Sequence, residues 1–326
     1  TTAFRPGEQV WVTVTNAQTS LPGSVGIAAR PQVYGFRTQA GVGPGTFYPM
    51  ANSPYAAGTQ AWFTALGDVD GDGDLDMASS FVGGTGGFYV RLNNGSGDFT
   101  TLVAGSPFTI ASAQGLSFGD VDNDGDLDLA IAAGSSIHVR LNNGSGNFST
   151  VAPGSPIAVG AGARNIVFGD VNGDGFLDIA VPCQTAGLVY ILWGAGTGAF
   201  GGGATYSQGN VYCAALGDVD NDGDLDLVSG DVATYNVNVR FNSGGGLFSA
   251  ATSYTMPSSV PSLALADVNG DGYLDLGVTC QFPTPQLVMR INDGSGGFAT
   301  SAPGSPYSAT GSLYSMNFAD VDGDND

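Results

Sequence analysis

The sequence predicts an all-β chain, a β-propeller of four-stranded blades with about six blades visible and Asp-rich hairpin loops. Three observations predict it. An Asp-rich segment first met at Gly67–Asp76 returns with its leading Asp at 68, 120, 170, 218, 267 and 320, at intervals of 52, 50, 48, 49 and 53 residues. Each interval holds four short β-like runs separated by turn residues. No segment of 11 or more residues carries a convincing 3.6-residue period. Radial repetition of four-stranded units of this size is the propeller pattern. One unit cannot bury both of its faces, so units must stack.

The elements of a unit follow in order. The first run precedes the Asp loop, as Trp62 to Leu66. The second follows it and is short and apolar, as Leu129-Ala130-Ile131 and Ile179-Ala180-Val181. The third is Val90-Arg91-Leu92, ended by an Asn-Gly or Gly-rich turn, with relatives in 139–148, 191–200, 239–248 and 289–298. The fourth carries Gly-Ser-Pro at 105–107, 154–156 and 304–306.

The loop reads D-x-[DN]-x-D-[GN]-x-x-D. Positions 1, 3, 5 and 9 bring side-chain oxygens, and position 7 can offer its carbonyl. Alternate residues of a tight loop converge on one point, and Ca²⁺ takes about six to eight oxygens. Gly at position 6 (Gly73, Gly125, Gly175, Gly223, Gly272) allows the positive φ that turns the chain. Position 12 is Ser79 in copy one and Ile131 in copy two, where an EF-hand needs Glu. Metal-free Asp-Gly turns are disfavoured, because uncompensated carboxylates this close repel. Of 29 acidic residues, 25 lie in these loops, and only Glu8 is a glutamate.

The alternation of strand, loop and strand over roughly 60–326 resembles the FG-GAP repeats of the integrin α-subunit propeller, and more closely the bacterial FG-GAP/VCBS-like repeats of secreted and surface proteins. The resemblance implies one Ca²⁺ per loop, between the first and second strands of a blade. It carries to Asp68, Asp70, Asp72, Asp74 and Asp76, and to Asp120, Asp122, Asp124, Asp126 and Asp128. It carries to Asp170, Asn172, Asp174, Phe176 and Asp178, and to Asp218, Asp220, Asp222, Asp224 and Asp226. The fifth set is Asp267, Asn269, Asp271, Tyr273 and Asp275. Copy six has Asp320, Asp322 and Asp324, then Asn325 where Gly is usual, and the sequence reaches only Asp326. The expectation is about five Ca²⁺ per chain, with a sixth, incomplete site.

Residues 34–326 are assigned to the propeller, with the last repeat truncated. Residues 1–33 form a β-rich N-terminal segment that resembles the end of a bacterial immunoglobulin-like domain. Residues 34–58 resemble the second half of a blade, which the first strand at the C-terminal end would complete; residues 34–38 also read as the last strand of the preceding domain. A truncated ring of seven blades is the preferred count.

Composition narrows the function. The net charge is −21, and all eight basic residues are Arg. Nucleic-acid binding is excluded, because it needs a basic surface. No stretch nears 18 uninterrupted apolar residues, so direct membrane insertion through a helix is excluded. Cys183, Cys213 and Cys280 are too few and scattered for a disulfide scaffold or a zinc site, and are read as buried thiols. Catalysis is not expected: there is one histidine, His138, no lysine and no Gly-x-Ser-x-Gly elbow. The Arg repeated at 91, 140, 240 and 290 reads as a scaffold contact to a neighbouring strand or loop carboxylate, because it recurs from blade to blade.

A ligand site is sought where blades differ. Trp62, Gln114, Arg164, Tyr212 and Tyr314, six residues before successive loops, start the first strands and would ring the mouth opposite the Asp loops. Aromatic, guanidinium and amide groups there suit a sugar or peptide. The expectation is an extracellular, cell-surface or secreted Ca²⁺-binding module for adhesion, structure or binding. Its partner would be a protein, a glycan or further copies of a surface assembly. Alternatives are a lectin and the propeller of a polysaccharide-active enzyme.

Overall fold

The computed structural model describes residues 54–56, 58–281 and 283–319, together with the backbone of the strands Gln9–Val14 and Gln32–Arg37. Those two strands pair antiparallel. The described remainder is a β-propeller of five successive antiparallel sheets. Their first three strands are, in turn, Ala61–Gly67, Asp76–Phe81 and Gly87–Leu92; Ala113–Gly119, Asp128–Ala133 and Ser136–Leu141; Val167–Gly169, Asp178–Cys183 and Leu188–Gly194; Val211–Gly217, Asp226–Asp231 and Asn236–Arg240; and Ser262–Ala266, Asp275–Cys280 and Gln286–Ile291. The partial sixth loop, Asp320, Asp322 and Asp324, lies outside the described residues, as do most of residues 1–53.

The fourth strand differs between blades for a reason visible in the sequence. In blades three and four it is continuous, Phe200–Ser207 and Thr252–Thr255. In blades one, two and five Gly-Ser-Pro splits it into two-residue pieces on the same third strand. Proline has no amide to donate to the ladder. The preceding serine compensates: Ser106, Ser155 and Ser305 Oγ accept the third-strand amides of Val90, Val139 and Met289 at 3.1, 2.9 and 2.9 Å.

The core lies between blades. Phe88 and Val90 of blade one pack with Phe118, Leu129 and Ile131 of blade two, and each later junction repeats the arrangement. Second strands are covered on both faces; Asp128–Ala133 and Asp178–Cys183 are buried at every position. This is why they read as apolar runs and not as alternation. Close approach requires the glycine before each of the first four loops (Gly67, Gly119, Gly169, Gly217). A Cβ on Gly119 would stand 3.0 Å from Leu177 and Phe168 of blade three.

Blades are also latched by polar bonds. Asn142 Nδ2 donates 2.8 Å to the carbonyl of Val69, the second residue of the preceding blade's Asp loop. Asn242 does so to Val171 at 2.6 Å, and Asn292 to Val219 at 2.8 Å. In blade three Gly194 replaces the Asn, but the amide of Gly198 still reaches Val121 O at 2.9 Å. The first four Asp loops are thereby fixed to the next blade.

Candidate functional site

First strands run into the Asp loops, so the loops share one end of the propeller. The predicted positive φ is present at the sixth loop residue, from 86° at Gly73 to 97° at Gly223. Three loops bring the carboxylates of positions 1, 3 and 9 together: Asp68, Asp70 and Asp76; Asp120, Asp122 and Asp128; and Asp218, Asp220 and Asp226. One carboxylate oxygen from each lies within 4.8 Å of the others. In loops three and five, position 3 is Asn172 or Asn269, so the corresponding sets are Asp170, Asn172 and Asp178, and Asp267, Asn269 and Asp275.

These groups fit a hard cation. Oxygens around a central ion at about 2.4 Å are at most about 4.8 Å apart. Asp122 Oδ1 and Asp220 Oδ1 are buried without any hydrogen-bond donor. Burial pushes the carboxyl of Asp76 up to about 6, and those of Asp128, Asp178 and Asp226 up to about 7; neighbouring loop carboxylates push the same way. Three of the loops can therefore each hold a metal ion on an Asp triad.

The remaining loop positions divide their roles. Position 5 makes a local turn: Asp72 Oδ1 accepts the amide of Asp74 at 2.8 Å, and Asp124 Oδ1 that of Asp126 at 3.0 Å. Position 7 leans over the glycine of the third-strand turn. A Cβ on Gly144 would meet Asp126 Oδ2 at 2.6 Å, one on Gly196 would meet Phe176, and one on Gly294 would meet Tyr273. That neighbour is an open glycine, which explains why Asp, Phe and Tyr all serve there.

Position 9 does more than the sequence suggested. Asp128 Oδ2 accepts the amide of Val121 at 3.0 Å and Oδ1 that of Asn142 at 2.8 Å. Asp76, Asp178, Asp226 and Asp275 repeat this bridge between loop and third strand. Asp76, Asp128, Asp178, Asp226 and Asp275 are all fully or almost fully buried. A metal motif and a structural clasp share one letter, so the sequence held no signal that separates them.

At the opposite end, three of the five predicted mouth residues meet. Arg164 Nη1 donates to Gln114 Oε1 at 3.0 Å, and its guanidinium carbon stands 4.5 Å from the centre of the Tyr212 ring. Gln184, on the turn between second and third strands of blade three, completes the group by accepting Arg164 Nε at 2.7 Å. Sequence reading missed Gln184 because that turn has no repeated motif. Trp62 and Tyr314 stand exposed. Beside Gln184 opens a cleft of about 430 Å³, lined also by Thr185, Ala186, Gly187, Gly209 and Asn210.

The repeated arginines are scaffold contacts, but to carbonyls and rings where carboxylates were also expected. Arg91, Arg240 and Arg290 each reach a third-to-fourth-strand carbonyl (Phe99, Ser249, Ala299) and one just before the blade's own first strand (Ala56, Ser207, Thr255). Arg140 reaches Ser149 O and lies over Phe108. All three cysteines are buried and unbridged, and burial pushes the thiols of Cys183 and Cys213 up to about 12. His138 is half-buried against Ser136, and burial lowers its pKa, with Arg140 adding to the effect.

The model of the FG-GAP-like repeat matches residues 80–131, 120–181 and 218–278, which together make half of the chain. The chain belongs to the FG-GAP-like repeat family. No curated protein matches it. Among solved structures, this FG-GAP-like propeller is similar to that of an Agrocybe aegerita lectin described as recognising non-reducing terminal N-acetylglucosamine. The two are 20% identical, with 97% of this chain and 87% of the lectin chain covered and a TM-score of 0.59. It is also similar to BBS1N, solved in complex with ARL6DN, at 13% identity, 82% and 88% coverage and a TM-score of 0.51. At such identities both show the fold alone. Among the described residues, no helix is long and apolar enough to cross a membrane.

Proposed function

We propose that this FG-GAP-like chain is an extracellular Ca²⁺-binding propeller that serves as a non-enzymatic binding module of a larger surface or secreted protein, with a glycan as its ligand. Five loops, each closed by a buried position-9 Asp, take one Ca²⁺ apiece and hold the blades in register. Affinities of about 10⁻⁴ M, the tight end of the extracellular class, fill such loops outside cells and not in the cytosol. Five ions would bring the chain's −21 to −11.

One observation carries the binding role. At the loop end the clasp of the position-9 Asp recurs in all five blades; the end opposite the loops has no such recurring contact. There, three neighbouring blades contribute unlike residues, Gln114, Arg164 and Tyr212, to one contiguous group beside an open cleft. A scaffold contact recurs from blade to blade; a ligand site need not. The lectin neighbour shows that a propeller of this fold can present a glycan site.

A glycan array probed with the Ca²⁺-loaded chain tests this. The expected result is retention of a defined set of saccharides, lost in Tyr212→Ala while the melting temperature holds. Absence of any saccharide binding in 1 mM Ca²⁺ overturns the glycan assignment. Turnover of a bound polysaccharide overturns the non-enzymatic one.

A further inference from the structure

We infer that the ligand at this end is an acidic saccharide whose carboxylate docks on Arg164; the inference rests on the glycan reading above and names its chemical class. The guanidinium is held as a receptor is held. It has five N–H donors. Nε and Nη2 both turn to the Gln184 amide oxygen, and Nη1 gives one hydrogen to Gln114. Two of the five N–H donors, one on each terminal nitrogen, are left for a carboxylate. Tyr212 supports the planar group from beneath. These supports come from blades two, three and four and are all neutral, so they orient the charge without cancelling it.

Among the described residues Arg164 is the one arginine at this end; Arg91, Arg140, Arg240 and Arg290 sit toward the loop end and are spent on carbonyls. The loop beginning at Asp170 is six residues along an extended strand, about 20 Å away. That is more than two screening lengths at physiological salt. Asp231 lies under Gly209 at the far wall of the cleft, buried, with Oδ1 accepting the amides of Ala233 and Thr234. It fixes the polarity of the ligand, with charge toward Arg164 and hydroxyls toward Asn210. The lining of the cleft is amide, hydroxyl and backbone with no aliphatic pocket, which suits a sugar better than a peptide side chain.

The test uses the full chain in 1 mM Ca²⁺ and titrates an oligogalacturonate and its carboxyl-reduced counterpart of equal length. The expected result is at least tenfold tighter binding of the acidic sugar, weakening with salt, while the neutral sugar is insensitive to salt. Arg164→Gln should abolish the preference, and Arg164→Lys should retain part of it. Equal affinity for both sugars overturns this inference and leaves the glycan reading standing. No binding of any saccharide overturns both. An oligo-aspartate peptide that binds as tightly as the acidic sugar overturns the saccharide assignment. Should Arg164→Gln fail to fold, the sugar pair and the salt series on the unaltered chain decide alone.

Discussion

Withdrawal of Ca²⁺ is expected to lower the melting temperature by about 15 °C or more. The size follows from linkage. A site with a dissociation constant near 0.1 mM adds about 1.4 kcal/mol in 1 mM Ca²⁺. Five such sites together rival the ~5–15 kcal/mol net stability of a typical domain, and one kcal/mol moves a melting point by roughly 2–4 °C at about this size. The effect should propagate, because Asn142, Asn242 and Asn292 tie three of the loops to the next blade. Melting curves in 1 mM Ca²⁺ and in excess EGTA measure it; superimposable curves would exclude a stabilising role for the ions.

The same experiment has a pH signature. In the metal-free fold the carboxyls of Asp76, Asp128, Asp178 and Asp226 are raised to about 6–7 by burial. Between about pH 4 and 7 the folded state then holds more protons than the unfolded one. The stability of the metal-free protein must fall as pH rises through that window. His138, lowered by burial, pulls the other way but is one group against four. Ca²⁺ needs the same carboxylates deprotonated, so its stabilisation shrinks as pH falls. The gap between Ca²⁺ and EGTA melting temperatures should be widest near pH 7.5 and narrow markedly at pH 5. A gap that widens at pH 5 would contradict the assignment of these carboxylates.

Replacement of Asp128 should be the most damaging single change in a loop. Asp128→Ala leaves the amides of Val121 and Asn142 unpaired in the interior, about 1–3 kcal/mol even in EGTA. In Ca²⁺ the loss of that ion's contribution adds to this. Asp122→Ala provides the contrast. Its carboxylate belongs to the triad and its Oδ1 has no hydrogen-bond donor, so it should cost stability in Ca²⁺ and almost none in EGTA. Chemical denaturation of both variants, with and without Ca²⁺, separates clasp from ligand. Equal behaviour of the two variants in EGTA would remove the clasp.

What the sequence disclosed and what it hid divide along contact range. Strand, loop and glycine positions recur in every unit, so Gly125 and its positive φ were readable from Asp124-Gly125-Asp126 alone. Gln114, Arg164 and Tyr212 stood out because they vary at an equivalent position, and the fold brings them together. The Asn142–Val69 latch was not found, because its partners are 73 residues apart and neither carries a distinctive spacing. The repeated Arg was read as scaffold correctly, but its partners are backbone carbonyls, which have no letter in a sequence. Asp128 shows the same limit from the other side: one carboxylate closes the loop, bridges to the third strand and completes a triad, and the motif records only an Asp.

The central claim, that the repeated loops are Ca²⁺ sites, is tested most directly by counting ions. Equilibrium dialysis of the full chain against 1 mM free ⁴⁵Ca²⁺ at pH 7.5 gives the number bound. The account predicts about five ions per chain, falling by one in Asp122→Ala. Fewer than one ion per chain at that concentration would contradict it.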